Sequence, residues 1–262
     1  MPVVDSHCHA SPLWYEPVET LLYQMEANGV DAAVLIQMQG QFDNSYQQSC
    51  LRRYPGRFAS VVLVDHTRAD ASHQLRRLAD DGASGIRLNA TDRSPGVDPM
   101  ALWRTAAEIG LTISCPIPPD TDVDDFSRLL DEFPGLTVVL EHLAGSSRDA
   151  DDPDGTHRGR AFPLARHANT CIKIPGLGEF SSRQLPVQGD FPFAQPIPSG
   201  LQDALAAFGP ERMLWGSDFP PVAGREGYAN ALRLCQAEFE RESPAARAHI
   251  FGDVAARVFP IR

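Results

Sequence analysis

The sequence predicts one α/β domain over residues 1–262, folded as a (β/α)8 TIM barrel. Three observations carry this. Eight short β-branched or apolar runs recur along the chain, amphipathic segments lie between them, and 262 residues suit a closed eight-fold barrel. A chain of this length buries enough apolar surface to fold without covalent staples. An open doubly wound sheet is the competing arrangement. No Gly-x-Gly-x-x-Gly or phosphate-cradling loop follows any of the runs, which favours the barrel.

The runs lie at 3–7, 31–37, 58–64, 85–88, 111–116, 137–141, 170–174 and 213–216. Most lack strict alternation, as strands covered on both faces do. Amphipathic stretches at 17–28, 71–81 and 100–109 each stop at a glycine: Gly29, Gly82 and Gly110. A glycine there accepts the left-handed conformation that ends a helix. The stretch at 121–133 opens on Thr or Asp capping candidates and stops before Pro134. Two insertions break the rhythm, a polar one at 146–160 and one rich in proline, glycine and phenylalanine at 181–200. Long loops after strands lie on the catalytic face of a barrel, so both are candidate lids or subunit contacts, with plain surface loops as the alternative. The apolar stretch 191–198 is the candidate contact for a homo-oligomer.

Composition narrows the partners. A net charge of −11 argues against nucleic acid, which wants a basic face. It does not argue against a small anion, since a few local arginines outweigh the global field. Five scattered cysteines without a C-x-x-C pair point to buried free thiols in a reducing compartment. The amino terminus lacks a basic segment followed by an apolar run, and no stretch approaches the apolar length of a membrane span. The expectation is a cytoplasmic protein. Lys173 is the one lysine among 23 basic residues, for which codon bias in a GC-rich genome is the plain explanation.

Three chain segments carry chemistry. His7 and His9 are two residues apart on the first strand, so their side chains share a face at its C-terminal end. Essentially every enzyme barrel keeps its site at that end. Paired imidazoles can ligate a metal or cradle an anion. Asp218 follows the eighth run, and closure of the barrel brings it beside strand one; a helix cap or turn role is the bland reading. His142, after the sixth run, stands on the same rim. Cys8, between the two histidines, must face away from the lumen.

The pieces Val-Asp-Ser-His-Cys-His at 4–9, Glu-His-Leu-Ala-Gly at 141–145, Trp-Gly-Ser-Asp-Phe-Pro at 215–220 and Ile-Phe-Gly-Asp-Val-Ala-Ala-Arg-Val-Phe at 250–259 resemble the amidohydrolase superfamily. The resemblance is to the branch of 2-pyrone-4,6-dicarboxylate lactonase and the sugar-acid lactonases, and it spans the chain in order. Asp253-Val254 departs from it, standing where that branch usually shows Asn-Ala. The resemblance implies that Asp218 activates water while His7, His9 and His142 bind a metal or polarise the substrate carbonyl.

Two departures from the wider superfamily bear on the metal. Its binuclear members bridge their ions with a carboxylated lysine on strand four; here strand four reads Gly-Ile-Arg-Leu-Asn and the only lysine is on strand seven. A lysine-bridged pair of ions is therefore excluded on inventory. Strand five reads Ile-Ser-Cys-Pro-Ile and offers Cys115 where mononuclear members commonly supply a histidine. One divalent ion, zinc by ligand type, can still be held by His7, His9 and Asp218. Metal-independent catalysis stays open, because the lactonase branch includes members whose histidines bond the substrate directly.

Arg87 at the end of strand four is the candidate clamp for a carboxylate on the substrate, or else a salt-bridge partner. Lys173 can reach into the barrel, Trp14 can wall the pocket, and Arg148, Arg158 and Arg160 can close over it or pair among themselves. The expected activity is hydrolysis of a small, anionic lactone by Asp218-activated water. The alternatives are metal-dependent, non-oxidative decarboxylation of an aromatic or unsaturated acid, and a barrel that binds a ligand without turning it over.

Overall fold

The computed structural model describes residues 2–118, 120–146, 155–181, 183–187, 193 and 199–261. All eight predicted runs form strands: β1 Val4–Cys8, β2 Ala32–Ile36, β3 Phe58–Val62, β4 Gly85–Arg87, β5 Thr112–Cys115, β6 Val138–Leu140, β7 Thr170–Ile174 and β8 Met213–Trp215. They pair in parallel in the order β1 to β8. The seam between β8 and β1 closes just beyond β8, where His9 N donates to Phe219 O at 2.7 Å and Asp218 N to His7 O at 2.8 Å. The same two hydrogen bonds lock the three predicted site residues of these segments side by side.

Five helices, α1 Val18–Ala27, α2 Ser45–Arg53, α3 Ala71–Asp80, α4 Ala101–Ile109 and α5 Val123–Glu132, follow the first five strands. Gly29, Gly82 and Gly110 take φ of +66°, +100° and +71°, the left-handed stops that the sequence implied. Asp122 caps α5 by accepting from Asp124 N and Asp125 N, both at 3.0 Å. The α2 segment carries too few apolar residues to announce itself. It packs instead through polar pairs such as Ser60 Oγ, which donates to Gln47 Oε1 at 2.7 Å.

The core has two layers. Between strands and helices lies an apolar shell in which Trp103 of α4 meets Phe126 and Phe133 at 6.1 and 6.3 Å between ring centres. Cys8 packs into this shell, away from the lumen as expected, and all five cysteines are buried and free. The inner cluster contains Val4, Val34, Val61, Val139 and Leu214 with Val254, Val258 and Phe259, and no residue of α1–α5. The carboxy-terminal segment thus plugs the barrel floor, tied there by Thr112 Oγ1 donating to Val258 O. A plugged floor leaves the opposite rim as the place for a site.

The β1–β2 register shifts between Asp5 and Cys8. Such a bulge re-aims side chains without ending the strand. It lets Asp5 face the helix at Tyr228–Glu238 while His7 turns into the barrel mouth. Among the described residues no helix is long and apolar enough to cross a membrane.

Candidate active site

Four side chains from three distant segments meet at the C-terminal rim. The ring centres of His7 and His9 lie 5.1 Å apart, and those of His7 and His142 4.7 Å apart. Asp218 Oδ1 is 3.4 Å from His9 Nε2 and 4.0 Å from His7 Nε2. Ligand atoms of His7, His9 and Asp218 all fall within 4.8 Å of one another, which makes them a candidate metal site. A small cavity of about 10 Å³, lined by His7, His142, Lys173, Pro175, Gly216 and Asp218, adjoins them. That volume matches a single water-sized occupant.

The backbone around these residues is specialised. Asp218 adopts φ +56°, and His142, Leu143 and Ala144 adopt +47°, +52° and +57° before Gly145 at +79°. A left-handed turn costs roughly 1–2 kcal/mol per non-glycine residue, and strain of this kind collects at functional sites. A side chain on Gly145 would lie 1.8 Å from Ile117 O, and one on Gly216 would meet His7 Cβ at 2.6 Å. Both glycines are needed for close approach.

Asp5 fastens the seam. Buried completely, it accepts from His7 N at 3.2 Å, Ser217 N at 2.9 Å, Ser217 Oγ at 2.6 Å and Tyr228 Oη at 3.0 Å. Asp5→Ala strands these donors in the interior, and a loss of about 3 kcal/mol or more in unfolding free energy is expected. Urea denaturation measures it, and a loss below 1 kcal/mol would remove Asp5 from this bracing role.

Charges around the mouth are paired in a chain that sequence reading did not find. His142 Nδ1 faces both oxygens of Glu179 at 3.1 Å, and Arg225 bridges Asp218 Oδ2 at 2.9 Å and Glu179 Oε1 at 3.4 Å. Burial opposes charge on His142, but Glu179 overrides it and lifts its pKa to about 9. Burial likewise opposes charge on Asp218, yet His9, His142 and Arg225 bring it down to about 2. His7 moves the other way: burial and the neighbouring Lys173 push it well below the ordinary range.

The remaining predicted residues fall into place less directly. Arg87 stands at the rim, but Nε and Nη2 donate to Glu141 Oε2 at 3.2 and 2.7 Å and Nη1 to Gln37 O at 3.1 Å. Its fork is spent on the protein, which corrects the clamp reading in favour of the salt bridge. Lys173 does point into the barrel, and contacts His7 Nδ1 at 3.1 Å and Ser114 Oγ at 2.8 Å. Its removal from water lowers its pKa to about 8 against the pull of Glu141.

Trp14 does not wall the histidine cluster. It is 67% exposed and lines a separate groove of about 350 Å³ with Leu13, Gln37, Gln41 and Tyr46. The neighbouring Tyr15 stacks on His9 instead, with 5.2 Å between ring centres and 23° between planes. Arg158 pairs with Asp203 at 3.5 Å, and Arg160 lines an outer cleft with Ser127 and Arg166. Arg148 and most of the stretch 191–198 lie outside the described residues.

Three histidines and a carboxylate on the open rim of a plugged parallel barrel are the equipment of a hydrolytic enzyme rather than of a scaffold. The chain belongs to the amidohydrolase family, whose model matches residues 4–261. It is 25% identical to an L-fucono-1,5-lactonase of Burkholderia ambifaria, over 98% of this chain and 95% of the relative. It is also 25% identical to a 4-sulfomuconolactone hydrolase of Rhizobium radiobacter, over 83% of this chain and 69% of the relative. Among solved structures, an amidohydrolase of Burkholderia multivorans with bound zinc superposes with a TM-score of 0.76 at 20% identity, covering 100% of both chains.

Proposed function

We propose that this chain opens the ring of a small lactone by hydrolysis. The observation that carries the reading is the polarisation of the mouth: a carboxylate, Asp218, faces an imidazolium, His142, across a water-sized cavity. The two relatives named for lactone hydrolysis support the substrate class.

In this reading a water lies against Asp218 Oδ1 and His9 Nε2, and the lactone carbonyl points its oxygen at His7 and His142. Asp218 takes the proton as the water oxygen bonds to the carbonyl carbon. The oxyanion that forms is stabilised by N–H groups already aimed at it, which spares reorganisation. The ring C–O bond then breaks, Asp218 returns the proton to the leaving alkoxide, and a hydroxy acid leaves. Arg225 holds Asp218 from the side away from the water. Arg87 and Lys173 act beneath the histidines, and the Trp14 groove takes what extends beyond the ring.

The donors also fit one divalent ion. His7 Nε2 is a buried atom without a protein partner, His9 Nδ1 is spent on Ile36 O at 2.8 Å so that Nε2 turns toward Asp218, and Asp218 Oδ1 completes the set. Two nitrogens and one oxygen suit zinc, which would supply Lewis-acid polarisation of the carbonyl.

Acid release from a panel of sugar-acid and carboxylated lactones, followed with a pH indicator, tests the proposal. Turnover of at least one lactone is the expected result. Loss of CO2 from aromatic acids instead would make the protein a decarboxylase, and saturable binding without turnover would make it a binding barrel.

A further inference from the structure

We propose that Lys173 is a positioning residue that keeps the proton of His7 on Nε2, where it is presented to the mouth of the barrel. The direction of each hydrogen bond leads there step by step. Glu141 is a fully buried carboxylate that only accepts, and Arg87 donates to its Oε2. Ser114 Oγ lies 2.6 Å from Oε1, so its single proton goes to Glu141. Ser114 Oγ must then accept from Lys173 Nζ at 2.8 Å. An ammonium has donors only, so the next contact, His7 Nδ1 at 3.1 Å, is an acceptor. A neutral imidazole with a bare Nδ1 carries its hydrogen on Nε2.

His9 is held from another side. Its Nδ1 lies 2.8 Å from Ile36 O, a carbonyl that only accepts, so Nδ1 holds a hydrogen. His7 Nε2, buried and without a protein partner, aims its N–H at the mouth. His9 Nε2 faces Asp218 Oδ1 at 3.4 Å. Under the lactonase reading, on which only this catalytic consequence rests, His7 serves the carbonyl oxygen and His9 serves the water.

Lys173 is suited to this and to little else. It is 2% exposed, roofed by His7, with its Nζ 5.4 Å from the centre of the Phe259 ring of the barrel plug. Arg87, a candidate clamp or salt-bridge partner from the sequence, is the fixed end of the same relay. The arrangement also bears on how tightly an ion would be held. A metal-bound histidine normally donates its second N–H to a carbonyl or carboxylate; His9 does so, while His7 meets an ammonium. An ion would retain His9 and Asp218 in full and would compete with the hydrogen on His7 Nε2.

The test reads the tautomer directly and needs no substrate. Protein labelled with ¹⁵N-histidine is observed by two-bond ¹H–¹⁵N correlation, with the His7 signal identified by its absence in His7→Gln. The wild type is expected to show His7 as the Nε2–H form and His9 with a hydrogen on Nδ1. In Lys173→Met, which keeps length and removes the donor, His7 is expected to lose that preference while His9 keeps its own. Zinc affinity, read by competition with a chromophoric chelator, is expected to rise about 10-fold or more in the same variant.

A wild-type His7 carrying its hydrogen on Nδ1 overturns the proposal even if no variant folds. An unchanged His7 signal together with unchanged zinc affinity in Lys173→Met overturns it as well. Absence of lactone turnover would leave both readouts intact, so the two failures are separable.

Discussion

Replacing Asp218 with asparagine is expected to lower lactone turnover by about 10³-fold or more, with the loss in kcat and the fold retained. The side chain keeps its shape but can no longer take a proton. The backbone has no reason to move. Asp218 sits at φ +56°, a conformation asparagine tolerates well, and the segment is held by Asp218 N donating to His7 O and by the Asp5 bonds to Ser217. Arg225 keeps a carboxylate partner in Glu179, so no guanidinium is stranded. Steady-state kinetics on the best lactone, with thermal unfolding as the control, measure both halves. Activity within tenfold of wild type at an unchanged melting temperature would take the base role away from Asp218 and leave His9 as the candidate.

The barrel was legible because its evidence is local. Each strand announced itself as a short apolar run, and three helices announced their ends through a glycine that does adopt a left-handed φ. The α2 helix was not legible, since Ser45–Arg53 packs through glutamines rather than an apolar stripe. Site residues followed the same divide. His7, His9, His142 and Asp218 could be placed because the end of a barrel strand is a fixed address.

What surrounds them depends on contacts that sequence spacing does not encode. Arg87 meets Glu141, 54 residues away, and no pattern distinguishes that from a free guanidinium. Trp14 and Tyr15 are adjacent, and the turn closed by Ser11 N donating to Glu16 O decides which ring reaches His9. Glu179 had one faint signal. It ends the run Gly-Leu-Gly-Glu at 176–179, whose glycines leave room for the Glu226 carboxylate, with which a side chain on Gly178 would collide at 1.8 Å. Two glycines so spaced mark a close approach of other groups, and only the fold says that the Glu226 carboxylate fills the space and that Glu179 turns toward His142.

Glu179→Gln is expected to pull down the alkaline limit of activity, the second large effect. In the wild type, burial alone would hold His142 neutral, and the Glu179 carboxylate, with both oxygens 3.1 Å from Nδ1, raises its pKa to about 9. His142 is then cationic at every pH below that value and aims charge at the developing oxyanion. Without the carboxylate the pKa falls to the ordinary 6.5 region or lower, so at pH 8 the charged fraction, and with it the rate, drops by about 30-fold. The stability linkage has the same sign. A raised histidine pKa stabilises the fold fully below about 6.5, and the contribution fades as pH climbs to about 9. Lys173, with a pKa near 8, also titrates in this range, but it hangs on Ser114 and Glu141 and makes no contact with Glu179. The variant therefore moves only the limb that belongs to His142. A pH–rate profile of both proteins from pH 6 to 10 decides it: superimposable alkaline limbs would mean that the imidazolium is not the group that serves the oxyanion.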